Sequence, residues 1–451
     1  MIILLITVVA ALALFYIILQ LDISGGLKFA LVVIEMLAVS QVFIRRYRMP
    51  SELGLVLLKS NEGIGIIDRL AKNEKAFNFL ADIGSSMSYG LLSLALMKRN
   101  ASPLTLVIGL ALLAFLSLFV APAALSFLLY SAGLGGTSST AASSVAGDSI
   151  GPMVVGGVLL AGGLFLFILL GIVYYGFVVF SALVKTLFFG SDAIAKTAAG
   201  GDLLLPGINL PFFEGILALA IVMVVHEGAH AILTRIAKVP LKSSGIVLFG
   251  VIPVGAFVEP DEKKLLNADA EKQTRVLVAG PTANMVTASA FFLIFMAFFL
   301  STADLRQGAL YIYSGMPSGT LVYQINGTPV ESINFTTLSL PKNGTVELLT
   351  NRGTVQKSTN ESGKMGITYS MAGRDTIFSR YTEPALQFIY TTLGLIVALN
   401  FVVGTVNLLP VPLFDGYRIL DVNIKNKMIV KAISYAALFF FVLNFLPRFF
   451  H

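Results

Sequence analysis

The chain has 451 residues, of which 56% are apolar and only 12% are charged, and its mean hydropathy is +0.85. A water-soluble domain carries roughly twice this charged fraction, so the composition excludes an ordinary soluble protein and indicates a membrane protein. The net charge of +6 does not indicate a nucleic-acid partner, because the lysines and arginines lie in short clusters beside apolar stretches, as determinants of membrane topology do.

Cysteine and histidine, the usual protein ligands of zinc, are scarce in this sequence. The chain contains no cysteine and three histidines, His226, His230 and His451. The lack of cysteine excludes disulfides, cysteine-type zinc sites and a cysteine nucleophile. A metal site in the body of the chain must therefore combine two imidazoles with oxygen ligands.

Apolar stretches predict the membrane spans. A spanning helix needs about 20 mostly apolar residues, and one weaker stretch, 79–97, is diluted by Asp82 and three serines. The first stretch lacks a basic start and a small-residue cleavage site, so we expect a span there rather than a signal peptide. The clear candidates lie near 1–20, 27–44, 104–130, 153–183, 212–236, 276–300, 386–410 and 429–448.

The basic residues orient these spans. Arg45 and two neighbouring arginines place the end of the second span in the cytoplasm. If 79–97 also crosses the membrane, the basic loops near 238–275 and 415–431 are cytoplasmic; if it does not, both loops lie outside. We therefore expect about nine spans in a multi-pass protein of the cell membrane.

One long polar interval, 303–375, has the texture of strands. Alternating runs such as Leu321 to Ile325 and Val346 to Leu349 are separated by Asn-Gly and Pro turns. About 70 residues suffice for a small domain. We expect a β-rich module that lies outside the cell, inserted between two spans.

The most informative motif is the segment from His226 to His230, with Glu227 beside the first histidine. On a helix, residues i and i+4 share a face, so both imidazoles can bind one metal ion. Glu227 can then take the proton from metal-bound water. The alternative is a buried histidine pair bonded to carbonyl groups. Ionisable groups inside an apolar span are costly without partners, which favours the metal site.

A metal held by two histidines needs a third ligand, and the histidine shortage points to a carboxylate. Asp415 follows a helix interrupted by two prolines, near the cytoplasmic edge of the bilayer. Freed backbone groups in a membrane are tolerated where protein or water satisfies them. Asp415 could instead be an interfacial cap or turn residue. Three glutamates also lie downstream of the motif, in the predicted cytoplasmic loop: Glu259, Glu262 and Glu271.

Together these segments resemble the site-2 proteases, a family of intramembrane zinc metalloproteases. The resemblance covers roughly 205–300 and 386–425. It departs from many members at Phe414, where they have leucine. The segments that carry it are His226-Glu-Gly-Ala-His230, Asn407-Leu-Leu-Pro-Val-Pro-Leu-Phe-Asp415-Gly416, Leu205-Pro-Gly-Ile-Asn-Leu-Pro211, Val251-Ile-Pro-Val-Gly-Ala-Phe-Val258 and Ala279-Gly-Pro-Thr-Ala-Asn284.

The resemblance implies roles for individual residues. One zinc ion would be held by His226, His230 and Asp415, with Glu227 as general base and later as proton donor to the leaving amine. Asn284 would orient the substrate carbonyl or stabilise the oxyanion.

Substrate binding is implied at two further places. Asn407 would hold an unwound substrate segment through its backbone. The stretch from Gly245 to Val258 resembles a membrane-associated hairpin that adds a strand to the substrate, with Gly255 and Phe257 as contact residues. For Asn284 and Asn407, interhelical hydrogen bonding is the alternative.

The inserted module resembles part of a PDZ domain, through the stretch from Gly315 to Val330 with its Ile-Asn-Gly turn. Its carboxylate-binding loop is not recognisable. We therefore expect a steric filter that admits pre-trimmed substrates, or a plain structural cap, rather than a binder of peptide termini.

The predicted fold class is a polytopic α-helical membrane protein of about nine transmembrane helices, with a small extracytoplasmic PDZ-like β-rich domain inserted in its catalytic core. The N-terminal region, 1–200, has about five spans and a cytoplasmic segment, 45–78. The core halves are 205–300 and 386–451, on either side of 303–375.

The predicted function is hydrolysis of peptide bonds in transmembrane segments, with the active site near the cytoplasmic side. The expected partners are transmembrane protein substrates and the lipid bilayer, without nucleic acid; the oligomeric state is left open. A membrane transporter or metal-ion carrier is the competing class, since buried ionisable groups also mark permeation paths. A catalytically inactive scaffold is a third reading, but a scaffold has no need of Glu227.

Overall fold

Six long helices dominate the structure, a computed structural model. It describes residues 2–21, 25–52, 54–60, 63–97, 102–131, 150–201, 204, 206–207, 210–317, 320–351 and 353–450. Within these ranges, six helices are long and apolar enough to span a membrane: Pro103–Leu128, Met153–Phe189, Phe212–Ile236, Ala270–Ser301, Pro384–Val406 and Lys427–Phe449. The other predicted spans, near 1–20, 27–44 and 79–97, stay predictions. Of the predicted stretch 205–211, residues 205, 208 and 209 lie outside the described ranges.

The N-terminal region forms short and long helices. They are α1 (Ile2–Gln20), α2 (Gly25–Tyr47), α3 (Ile64–Leu70), α4 (Glu74–Tyr89), α5 (Leu92–Leu96), α6 (Pro103–Phe115), α7 (Ala121–Ser131), α8 (Ile150–Phe189) and α9 (Ala193–Lys196). A π-helical turn, Leu116–Val120, joins α6 to α7.

The weak stretch 79–97 is two helices rather than one. α4 stops at Tyr89 because Gly90 takes a φ of +54°, a conformation that side chains disfavour. A Cβ at Gly90 would lie 2.5 Å from the carbonyl oxygen of Leu160 in α8. The break therefore lets two backbones pack directly against each other.

The C-terminal half carries the remaining long helices, and one of them is central. Its elements are α10 (Phe212–Ile236), β3 (Leu241–Phe249), β4 (Ile252–Pro260), α11 (Glu262–Leu266), α12 (Ala270–Ser301), α13 (Pro384–Val406), α14 (Asp415–Asn423) and α15 (Lys427–Leu443). α12 packs against α4, α10, α13 and α14. Its Val278, Met285 and Ala288 are fully buried.

α4 is bound tightly to this central helix. The Arg275 guanidinium of α12 donates two hydrogen bonds of 3.0 Å to the Asp82 carboxylate of α4. Two residues further along α4, Gly84 lies so close to Thr282 that a Cβ there would clash with the threonine side chain. The N-terminal region is therefore part of the core that α12 organises.

Replacing Arg275 with methionine is expected to lower the free energy of unfolding by about 3 kcal/mol, because the Asp82 carboxylate would lose both Arg275 hydrogen bonds in a largely buried position. The two side chains are only 23% and 13% exposed. Lys272→Met is the matched control, since the Lys272–Asp269 pair is 51% and 79% exposed and such pairs contribute little. Thermal unfolding in detergent would measure both, and equal losses would contradict this assignment.

Four strands form a sheet in the order β1-β2-β3-β4. β1 (Ser51–Glu52) and β2 (Leu55–Ser60) come from the N-terminal region, and β2 pairs antiparallel with β3. The Lys59 ammonium binds the Glu259 carboxylate at 2.8 Å across the sheet. The sequence predicted the hairpin of β3 and β4 but not the two strands that extend it, and β4 remains an edge strand.

The inserted module is β-rich, as predicted. It contains β5 (Arg306–Gln307), β6 (Ala309–Ser314), β7 (Leu321–Ile325), β8 (Thr328–Pro329), β9 (Thr345–Thr350), β10 (Gly353–Ser358), β11 (Thr368–Ala372) and β12 (Arg380–Tyr381). The main sheet has the order β10-β9-β7-β6-β11, with β8 paired to β7, while β12 pairs with β5.

The turn predicted in this module is present. Asn326 and Gly327 have φ values of +49° and +76°, and they connect β7 to β8 as a tight hairpin. Leu310, Val322 and Leu348 are fully buried in its small core. Ser318 and Gly319, part of the PDZ-like match, lie outside the described residues, and the PDZ-like assignment stays a prediction.

Candidate metal centre

Helix α10 brings the two motif histidines to one face, as the spacing predicts. The Nε2 atoms of His226 and His230 lie 3.1 Å apart, and His226 is only 8% exposed. The residues before and after the motif in α10 are mostly apolar. Because polar groups are costly in contact with lipid, the imidazoles of the motif face the protein interior.

Asp415 reaches the same point from the first residue of α14. Its Oδ2 lies 3.3 Å from His226 Nε2 and 3.2 Å from His230 Nε2. The backbone N–H of Gly416 donates to the carbonyl oxygen of Asn407 at 2.8 Å, which closes the segment between α13 and α14. A Cβ on Gly416 would clash with the Leu408 carbonyl. The Asn-to-Gly segment is thus built to present the aspartate.

The three donor atoms fit a tetrahedral metal ion. They are separated by 3.1 to 3.3 Å, and ligands bound to zinc at about 2.0 Å in a tetrahedron lie about 3.3 Å apart. Among the described residues, His226, His230 and Asp415 are the His, Asp and Glu side chains whose ligand atoms lie close enough together to hold one metal ion. Two imidazole lone pairs and a carboxylate this close together repel one another unless a cation or protons lie between them.

Helix α12 orients both imidazoles from behind. Nδ1–H of His230 donates to the carbonyl oxygen of Val276 at 2.7 Å. Nδ1 of His226 lies 3.0 Å from the side-chain amide of Asn284, which is fully buried. Val276, Gly280 and Asn284 are spaced by four residues and share one face of α12. Such outer hydrogen bonds fix the tautomer that leaves Nε2 free for a metal.

The amide of Asn284 can serve this purpose in one orientation. With Nε2 directed at the metal position, His226 carries its proton on Nδ1, and Oδ1 of Asn284 accepts that proton after a half-turn of the amide. In the other orientation Oδ1 is buried without a partner among the described residues. Asn284 therefore contacts the Nδ1 side of His226 and not the Nε2 donor atoms. Its predicted catalytic role stays a prediction.

Gly280 was not predicted as a site residue, yet it shapes the site. A Cβ there would lie 2.6 Å from Nε2 of His226 and would also clash with Nε2 of His230. Only glycine lets α12 approach the imidazoles this closely. Gly280 is the glycine of the Gly-Pro-x-x-Asn element, so the sequence does carry a signal for this position.

The predicted general base, Glu227, directly follows His226 on α10 and is half-buried. Two of the three alternative acidic ligands are engaged elsewhere: Glu271 binds Arg275, and a hydrogen bond from Lys59, with another from Ser243, holds the pKa of Glu259 below its ordinary value. Asp415 is thus the carboxylate that joins the histidines.

The predicted substrate-binding residues lie outside the donor cluster. The Asn407 amide donates to the carbonyl oxygen of Val403 in its own helix, at 3.0 Å. Gly255 and Phe257 lie on the edge strand β4, paired with β3 on one side only. Their roles stay predictions.

A buried residue of the N-terminal region also has a polar atom that no sequence signal predicted. Tyr89, at the end of α4, is fully buried, and its hydroxyl has no hydrogen-bond partner in the described part of the chain. Its ring stacks on Phe165 with centroids 4.9 Å apart. The end of α4 therefore packs against α8.

A His-His-Asp donor set and an adjoining glutamate, inside a bundle of membrane-length helices, define the class of membrane-embedded metallopeptidases. The sequence profile of peptidase family M50 matches residues 214–446. The match covers more than half of the chain, so the chain belongs to this family, that of the site-2 proteases.

One curated relative extends the comparison. An uncharacterized protein of Methanocaldococcus jannaschii is 30% identical to this chain over 242 residues, which cover 51% of the chain and 62% of that protein. The chain thus matches somewhat less than two thirds of the relative's length. The residues that hold the donor cluster lie inside the family match, whereas Asp82 and Tyr89 lie before it.

Proposed function

We propose that this protein is a zinc-dependent intramembrane protease that hydrolyses peptide bonds in or near the transmembrane segments of other proteins. The observation that carries the proposal is the triangle of His226, His230 and Asp415 donor atoms, spaced 3.1 to 3.3 Å. Both histidines lie on α10, a helix of membrane length. The process it would serve is regulated intramembrane proteolysis.

The donor set has the composition of catalytic zinc sites, with three protein ligands and one open position. A bound zinc ion would lower the pKa of a water molecule and polarise the substrate carbonyl. Glu227 holds the proton taken from the attacking water and passes it to the leaving amine. Because Glu227 directly follows His226, its carboxylate lies at the same level along α10 as the donor atoms.

The surrounding residues act by orientation. Val276 and Asn284 fix the imidazole tautomers, so that both Nε2 lone pairs converge. We propose in addition that the free amide end of Asn284 stabilises developing negative charge on the substrate, because a donor in a dry site contributes strongly to catalysis.

Substrate would be presented as an extended strand. Hydrolysis requires an exposed peptide bond, so a helical substrate must first unwind and find new partners for its backbone. The unpaired edge of β4, with Gly255 and Phe257, offers such partners. We propose that Asn407, at the end of α13, holds the unwound segment near Asp415.

For the number and orientation of the membrane spans, we propose the topology that the sequence predicts. The chain would cross the cell membrane about nine times, with the active site near the cytoplasmic side and the β-rich module outside. There the module, PDZ-like in its hairpin, would act as a steric filter for substrates that another protease has already trimmed.

A membrane transporter or metal-ion carrier is the competing function, and the donor geometry disfavours it. A permeation path needs a series of sites weak enough to release the ion, whereas these three donor atoms lie 3.1 to 3.3 Å from one another around a single point. Uptake of labelled metal into proteoliposomes that depends on Asp415 would favour the carrier.

The direct test combines metal analysis with cleavage of a helical membrane substrate. Asp415→Ala is expected to lower the zinc affinity by more than about tenfold and to abolish cleavage, since two imidazoles alone leave the site one ligand short. Asp421→Ala is the matched control on the same helix, where the carboxylate binds Lys427 at 2.8 Å. A wild-type protein that binds zinc but cleaves no membrane substrate would refute the proposal.

A further inference from the structure

The turn before the metal ligand contains a residue in an unfavourable conformation. Leu413 has a φ of +82°, and the backbone N–H of Phe414 donates to the carbonyl oxygen of Val411 at 3.0 Å. With Pro412 at the second position, this is a type II turn, whose third position ordinarily takes glycine because a Cβ is strained there. A leucine in this place needs an explanation.

The neighbouring contacts hold the leucine in this conformation. The Asn407 carbonyl and the Gly416 N–H clamp the two ends of the segment at 2.8 Å. Leu409 is fully buried inside it, and the ring of Phe414 packs edge-on against Phe441 of α15. A strained residue persists when its surroundings over-determine it, and such residues concentrate at functional sites.

The strain is not offset by packing of the leucine itself. Its side chain is 92% exposed, the largest exposed fraction among the exposed large apolar side chains of the described residues. Glycine would form the same turn without strain, and contact with lipid needs no particular residue at this point. What distinguishes leucine here is therefore a side chain that projects freely, two residues before the ligand Asp415.

We propose that Leu413 is a specificity-determining residue that contacts an apolar side chain of the bound polypeptide next to the scissile bond. Two residues of extended chain span about 7 Å at most, so Leu413 lies within one or two substrate residues of the metal centre. The inference rests on the proposed protease function and adds a residue that selects the substrate.

The first test separates the side chain from the turn. Leu413→Gly and Leu413→Ala are both expected to lower kcat/KM for a substrate with an apolar residue at the cleavage point by about tenfold, the range for a lost apolar contact in a specificity pocket. Only Leu413→Gly should raise the thermal unfolding temperature, because it alone relieves the strain. Both variants should keep their zinc, since no metal ligand changes.

A purely structural turn gives a different result. In that case Leu413→Gly would be more stable and would cleave as well as the wild-type chain, and the proposal would be wrong. Because wild-type cleavage is measured in the same assay, a failure of the protease function itself appears as an inactive wild type with bound zinc.

The second test uses the absence of cysteine from the chain. Leu413→Cys, combined with Glu227→Gln to prevent cleavage, is expected to form a disulfide with a substrate carrying one cysteine near its cleavage point when a mild thiol oxidant is added. Met428→Cys is the matched control, because Met428 is also apolar and 80% exposed but lies at the start of α15. Cross-linking at Met428 and not at Leu413 would overturn the proposal.

Discussion

Replacing Gly280 with alanine is expected to weaken zinc binding strongly and to lower cleavage with it, although it adds a single methyl group. The new Cβ would lie 2.6 Å from Nε2 of His226 and would clash with His230. Because both imidazoles are held from behind by hydrogen bonds to Val276 and Asn284, they cannot retreat without losing their orientation. Overpacking of this kind costs about 1–3 kcal/mol, which corresponds to a zinc affinity roughly ten to a hundred times weaker.

The control for this substitution lies inside the histidine motif itself. A Cβ on Gly228 would meet no atom within 4 Å, and alanine favours a helix over glycine. Gly228→Ala should therefore keep its zinc and its stability, although it lies between the two ligands in sequence. Zinc titration of the purified variants measures both effects. Loss of zinc in Gly228→Ala with retention in Gly280→Ala would show that α12 does not pack on the histidines as described.

Replacing Glu227 with glutamine is expected to reduce cleavage by roughly a hundredfold to ten-thousandfold, the usual contribution of a general base, while zinc remains bound. The amide has the size of the carboxylate but cannot accept the proton of the attacking water. The three donor atoms of the metal site are untouched. Cleavage rates at saturating substrate, measured beside zinc content, separate this effect from the loss of metal.

Glu214→Gln is the matched control for this experiment. Glu214 lies in the first turn of the same helix, about three turns before the histidines, and the substitution should leave cleavage and zinc content unchanged. If Glu227→Gln were as active as the wild type, another group would have to serve as the base, and the assignment would fail.

Much of the candidate metal site follows from the sequence. The shortage of histidine pointed to a carboxylate as third ligand, the resemblance to the site-2 proteases implied Asp415, and the structure brings its donor atom together with those of His226 and His230. The module with strands near Leu321 and Val346 was also predicted, since strand periodicity and Asn-Gly turns are local signals.

Other features depend on contacts that no local pattern encodes. The break at Gly90 follows from the close approach of α8, and the importance of Gly280 follows from the imidazoles opposite it. The positive φ of Leu413 contradicts the intrinsic preference of leucine, so only tertiary contacts can impose it. The pairing of β2 with β3 joins segments whose apolar patterns would suit other partners equally well.

That last pairing has a consequence for biosynthesis. Lys59 and Glu259 are 200 residues apart in the chain, and at roughly 5–20 residues per second a ribosome needs about 10–40 s to make the intervening segment. During that interval β2 lacks its partner strand β3, so its exposed edge can pair with other chains. A lysine near its end is a common safeguard of unpaired strands. The same ammonium that binds Glu259 in the finished sheet would thus protect the nascent strand while it waits for its partner.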